Sequence, residues 1–146
     1  EYMLESIIAL AAFIPVIIGM GGNIGTQSST IIVRGIATGR IEIGSEMKIL
    51  LKEIRVGMIL GVLYGLMLGV FANFRFMDAD PMLGFVVGLS ICCSMLIATA
   101  VGTFTPLVLR KLDIDPAIAT GPFVTTSIDI LGVLLYFVIA GYFLTI

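Results

Sequence analysis

The chain has 146 residues, 59% of them hydrophobic and 12% charged, with a mean hydropathy of +1.17 and a formal charge of −2. Soluble domains average about 45 to 50% apolar and about 25% charged residues, so this composition excludes an ordinary water-soluble domain and defines an integral membrane protein. The apolar segments are continuous and do not alternate over about ten residues, which excludes a β-barrel and leaves α-helices as the spanning element.

Four stretches reach the roughly 20 apolar residues that a crossing needs, at 7–33, 56–74, 82–109 and 122–146. The first is longer than a crossing requires, and its second half is rich in small and polar residues. Pro15 removes a helical hydrogen bond, and Gly19, Gly21, Gly22 and Gly25 lower helix propensity directly after it. A kinked or locally opened helix is expected there. Non-helical backbone at membrane depth survives only where it is buried in protein or lines water, so freed carbonyls near 19–23 are candidate ligands on an ion path. Asn23, Thr26, Gln27, Ser28, Ser29 and Thr30 add side-chain oxygens. The competing reading is that the glycines permit close packing and the hydroxyls bond back to their own helix.

Residues 45–55 carry Met47, Leu50, Leu51 and Ile54 on one helical face, with Ser45 placed to cap the start. This pattern predicts an interfacial helix on the cytoplasmic surface, continuous or nearly so with the second span. Gly57, Gly61, Gly65 and Gly69 then form three overlapping Gly-x-x-x-Gly repeats, a packing face that fits either another helix of the chain or a second subunit. Gly84 and Gly88 repeat the pattern in the third span. Cys92 and Cys93 are adjacent there and point to different faces, and the chain has no histidine, so packing is expected of them and not a disulfide or a soft-metal site. In the loop that follows, Asp115 before Pro116 caps a short turn, Gly121-Pro122 opens the last span, and Asp113 and Asp115 balance Arg110 and Lys111 in solvent.

Charge sets the orientation. Arg34, Arg40, Lys48, Lys52 and Arg55 lie at or between the first two spans, Arg110 and Lys111 between the last two, and only Arg75 in the remaining loop, beside Asp78 and Asp80. The positive-inside rule makes the first and third loops cytoplasmic and both termini extracytoplasmic in a multi-pass protein of the plasma (inner) membrane. A start at Glu1 with no basic n-region reads as a fragment preceded by at least one helix.

Asp129 is the only charged side chain in the run 121–146. A carboxylate at membrane depth costs about 2.5 to 3.5 kcal/mol on insertion scales, so it is expected to face a partner, a cavity or a permeating ion. It lies about 8 residues, or roughly 12 Å, from the start of its helix. Thr125 and Thr126 precede it by four and three positions and Pro122 by a further turn, a polar stripe leading to the acid. Asp129, Asn23 and Thr125 are therefore the candidate metal ligands, with Gly19, Gly22, Gly25, Thr26, Gln27, Pro122 and Thr126 as pore-lining candidates. The structural alternative has Asp129 accepting hydrogen bonds from Asn23 or Gln27. Oxygen-only ligands favour Mg²⁺, Mn²⁺ or Ca²⁺ over softer metals. A transporter in the lipid bilayer is expected, with no catalytic residues, no enzymatic activity and no nucleic-acid partner.

Three stretches carry a family likeness: Pro15-x-x-x-Gly-Met-Gly-Gly-Asn-Ile-Gly-Thr-Gln27 leading to Val33-Arg-Gly-Ile-Ala-Thr-Gly39, the loop Asp115-Pro-Ala117, and Thr120-Gly-Pro-Phe-Val-Thr-Thr126 followed by Asp129. Together they resemble the membrane domain of the MgtE family of magnesium channels and transporters, to which the solute carrier family 41 proteins are similar. The likeness covers essentially the whole chain. It implies a homodimer with the ion path along its axis, the Asp129 carboxylate facing its mate and Mg²⁺ as the transported ion. It also implies a five-helix all-α domain of which residues 1–146 supply the last four helices, without the upstream helix or cytosolic sensor domains. Two other readings stay open: a proton- or sodium-coupled divalent cation exchanger, and a membrane subunit in which Asp129 and the glycine faces only fix assembly.

Overall fold

A computed structural model describes residues 2–42, 44–77 and 79–144, and all regular structure among them is helical. Glu1, Asp78, Thr145 and Ile146, on which parts of the sequence reading fall, lie outside the described residues. Four long helices run in order: α1 (Tyr2–Ala37), α2 (Glu46–Arg75), α3 (Leu83–Lys111) and α4 (Pro122–Phe143), with a short 3-10 helix (Pro116–Thr120) before the last. All four are long and apolar enough to cross a membrane.

The expected opening of the first span is not found. α1 continues unbroken for 36 residues through Pro15 and 19–25, so the carbonyls near Gly22 remain in the helical ladder. Proline costs the ladder one donor, and the apolar neighbours that bury Phe13 and Ile17 on either side of it hold the rest of the helix together. The segment 45–55 is continuous with the second span, as its pattern predicts, and supplies the first turns of α2. At 1.5 Å per residue α2 is about 45 Å long, more than the roughly 30 Å hydrocarbon thickness, so its charged first turns extend past the apolar layer. Ser45 precedes α2 but its side chain accepts no capping hydrogen bond. Its Oγ bonds back to the Glu42 carbonyl at 2.8 Å. Asp115 does cap, its Oδ1 accepting from the Ala117 N–H at 2.9 Å, and Pro122 takes the first turn of α4, where its missing N–H has no intrahelical partner to lose.

α3 is the central element. It packs against α1, α2 and α4, while α2 meets α1 only slightly. The glycine stripe of α2 is what lets α2 and α3 close on each other. A Cβ added at Gly65 would lie 2.6 Å from the Gly88 carbonyl oxygen, one at Gly69 2.6 Å from that of Gly84, and one at Gly61 3.1 Å from the Cys92 backbone. The stripe thus serves a helix of the same chain, and both cysteines are free thiols. On the other side of α3, Ser94 marks the crossing with α1 and α4, since a Cβ at either Gly21 or Gly132 would come within 3.1 Å of its Oγ.

Apolar burial finishes the bundle. Leu10, Phe13 and Ile17 of α1, Val86, Val87, Ile91 and Met95 of α3, and Tyr136 and Ile139 of α4 form the main core. The Tyr136 hydroxyl, fully buried, donates to the Leu10 carbonyl at 3.0 Å and ties α4 to α1 near one end. In lipid, such van der Waals and hydrogen-bond contacts carry helix association that water would otherwise drive. The cations of the α3–α4 connection are spent elsewhere than expected: Lys111 pairs with Glu46 at 3.6 Å and Arg110 Nη1 donates to the Ile41 carbonyl at 2.9 Å, leaving Asp113 and Asp115 exposed.

Candidate functional site

Because α1 is helical throughout, only one of its faces can look toward a given cavity. Residues 19, 22, 23, 26, 27, 30 and 34 recur at three- and four-residue intervals and fall on one stripe. That stripe, with Ile18 and Ile31, forms one wall of a groove of about 740 Å³, and Thr125 and Asp129 of α4 form the other. Asp129, Asn23 and Thr125 therefore share one cavity with Gly19, Gly22, Thr26 and Gln27.

The carboxylate is placed by two close approaches. Ile128, the neighbour of Asp129, is buried against Gly21 and Gly25, which turns position 129 to the groove side of α4. Gly22 then leaves its surface open to the acid, since a Cβ there would sit 3.5 Å from Asp129 Oδ1. That oxygen is buried and has no hydrogen-bond partner among the described residues, and neither Asn23 nor Gln27 donates to it. The hydrogen-bonded structural role considered for Asp129 is thus not present. Thr125 Oγ1 spends its proton on the Pro122 carbonyl at 3.1 Å, and Thr30 Oγ1 on that of Thr26 at 2.8 Å. Both hydroxyls keep acceptor lone pairs free. The groove accordingly offers oxygen acceptors around one carboxylate.

Three of the sequence candidates do not reach it. Gly25 is three residues from Gly22 and faces the interior, where an added Cβ would collide with Ile128 and come within 3.1 Å of the Ala98 carbonyl. Its own backbone abuts Gly102 of α3. Thr126 is exposed and Pro122 lies at the exposed start of α4, both outside the groove lining. An opened helix would let Gly25 serve the path together with Gly19 and Gly22, whereas an intact helix selects one face.

The same period identifies what the sequence reading missed. Arg34 lies one turn beyond Thr30 on the stripe and lines the groove at its far end. With 1.5 Å per residue, it stands about 18 Å along α1 from Gly22. Glu53 was also missed, a buried acid at 8% exposure, which accepts from Ser28 Oγ at 3.3 Å and joins α2 to α1. Its place in a charged sequence hid it, since Lys52 and Arg55 beside it suggest a solvated face. Among the described residues, no three His, Cys, Asp or Glu side chains converge as a metal cluster.

Four helices long and apolar enough to cross a membrane, with a groove between α1 and α4 that holds the Asp129 carboxylate, define a polytopic membrane protein. Residues 14–139 match the MgtE family, described as divalent cation transporters, and the chain belongs to that family. It is similar to the magnesium transporter MgtE of Bacillus subtilis, at 36% identity over 144 residues, covering 99% of this chain and 32% of that protein. The magnesium transporter MgtE of Thermus thermophilus is 38% identical over 140 residues, 96% of this chain and 30% of its own length. That of Enterococcus faecalis is 35% identical over 144 residues, with 99% and 31% covered. The chain thus spans about a third of the length of the curated relatives it matches.

Proposed function

We propose that this chain is the ion-conducting membrane domain of a magnesium transporter, passing a hydrated Mg²⁺ down its electrochemical gradient along the groove at Asp129. The observation that carries this reading is the buried, unpartnered Asp129 Oδ1 facing the polar stripe of α1 across one cavity. A buried charge with no partner is costly, and a permeating cation is the partner that would offset it. Mg²⁺ sheds water reluctantly and holds six oxygens in octahedral geometry, usually keeping several waters beside one or two carboxylates. Six waters occupy about 180 Å³ at liquid density, so the groove is roomy enough for the hydrated ion with space to move. Asp129 supplies the charge, while Asn23, Gln27, Thr26 and Thr125 accept from the hydration shell beside the open surface at Gly22. Mn²⁺ and Ca²⁺, with the same preference for oxygen, compete for such a site.

A second copy completes the path. Asn23, Gln27 and Thr30 are exposed on a helix that crosses lipid, and amide side chains facing hydrocarbon without partners are unfavourable. A twofold axis along this groove would cover them and bring two Asp129 carboxylates to one divalent ion.

The test is Mg²⁺ uptake into liposomes holding wild type or Asp129→Asn, after both are shown to assemble alike. The amide keeps the shape and loses the charge, so uptake should fall at least about tenfold, equivalent to about 1.4 kcal/mol of lost ion stabilisation. Equal uptake by the two proteins sinks the proposal.

A further inference from the structure

The connection from α1 to α2 builds a second cleft, of about 680 Å³, for which the cation groove has no use. Its shape begins at Gly39, where the backbone turns left-handed with φ of +68°. The Arg40 N–H donates to the Gly35 carbonyl at 3.0 Å and the Gly39 N–H to that of Ile36 at 3.1 Å, the paired bonds of a Schellman close. The chain then folds back on the helix it has just left. Ile41, 8% exposed, seats on Gly35 beside Ile32 and Leu107, and its carbonyl takes the Arg110 guanidinium. This anchor holds Arg40 over the same cleft as Arg34, and Lys52 of α2 completes a rim of three cations.

None of the three has an ion-pair partner among the described residues. Glu53 lines the cleft as well, so three cations against one carboxylate leave a surplus of two positive charges. The carbonyl end of α1 and the amide end of α2 meet here, and their opposite dipole charges offset each other. Side chains therefore decide the sign, and the sign is positive.

We propose that this cleft binds a phosphate-bearing anion, its phosphate between Arg34, Arg40 and Lys52. Guanidinium forks match phosphate oxygens two at a time, and an ammonium adds a point charge. Ile31 and Ile49 line the same cleft, an apolar surface suited to the glycerol and acyl part of an anionic phospholipid. The cleft lies at the membrane face that carries most of the chain's cations, the face where anionic headgroups would meet it. A lipid headgroup and a free phosphate share the recognised chemistry, and the isoleucines favour the lipid.

The experiment is native mass spectrometry of the full chain released from detergent after exposure to phosphatidylglycerol or phosphatidylcholine. The variant pair is Arg40→Gln with Lys52→Gln, because neither residue lines the cation groove whereas Arg34 does. Wild type is expected to retain phosphatidylglycerol over phosphatidylcholine, and the double variant to retain about tenfold less of it, on the scale of charge pairing at an anionic surface. Lys52→Gln alone gives an intermediate loss, which keeps the result readable if the double variant folds poorly. Lys48→Gln, exposed on the same helix end but outside the cleft, should retain as wild type does. Displacement of the lipid by millimolar inorganic phosphate would assign the site to the free anion, and resistance to it would assign the lipid. Equal retention by wild type and the double variant, or an equal loss in Lys48→Gln, overturns the proposal. The readout involves no transport, so it stands or falls apart from the role of Asp129.

Discussion

Gly22 and Gly25, three residues apart on one helix, do opposite things. Gly22 opens the helix surface to the Asp129 carboxylate, and a methyl there would make an ordinary contact at 3.5 Å. Gly25 lets α1 touch the backbone of α3 and the side chain of Ile128, where no methyl fits. Gly22→Ala should therefore fold with near wild-type thermal stability in detergent yet conduct less Mg²⁺, because an apolar group displaces hydration water beside the acid. Gly25→Ala should lose about 1 to 3 kcal/mol of stability by overpacking. Unfolding and liposome uptake measured on both variants separate the two roles, and a Gly22 variant that unfolds early would contradict the assignment. Composition alone could nominate both glycines, and the three-residue offset around a helix is what divides them.

Among the helices, the small-residue stripe of α2 shows how much of an element is legible beforehand. Four glycines at four-residue spacing announce a packing face. They do not say against what, because the pattern is a property of one helix and the answer belongs to two. In the structure the partner is α3, backbone against backbone at Gly65–Gly88 and Gly69–Gly84. Gly65→Ala would press a methyl onto a carbonyl that cannot swing aside, costing about 1 to 3 kcal/mol. Gly141→Ala on α4 meets open space and should hold or raise stability, by up to about 1 kcal/mol from restored helix propensity. Chemical unfolding of the two variants in detergent checks the pair, and equal effects would refute the α2–α3 assignment. α1 stays closed for a related reason. Proline and glycine lower the intrinsic preference for helix, but propensity is a weak term once the inward face of the segment is packed on α3 and α4.

For the molecule as a whole, the arrangement of α1, α2 and α4 around α3 leaves the polar stripe of α1 at the surface. The proposed twofold axis follows from the cost of leaving that stripe in lipid. With Cys92 and Cys93 replaced by alanine, Asn23→Cys should cross-link to its counterpart in membranes through a short bifunctional thiol reagent. Met67→Cys, exposed on the far side of α2, should not. Cross-linking at both positions, or at neither, would remove the support for a dimer closed on the groove.

Hydropathy, charge placement and the glycine and proline punctuation are sufficient to specify a membrane protein and its four helices and to nominate Asp129 as a candidate, since each is a property of residues near one another along the chain. The face of α1 that meets the carboxylate, the inward turn of Gly25, the partner of the α2 stripe, and the gathering of Arg34, Arg40 and Lys52 were decided only by tertiary structure. Those features depend on which helix lies beside which and at what rotation. Packing across tens of residues sets both, and no local pattern encodes them.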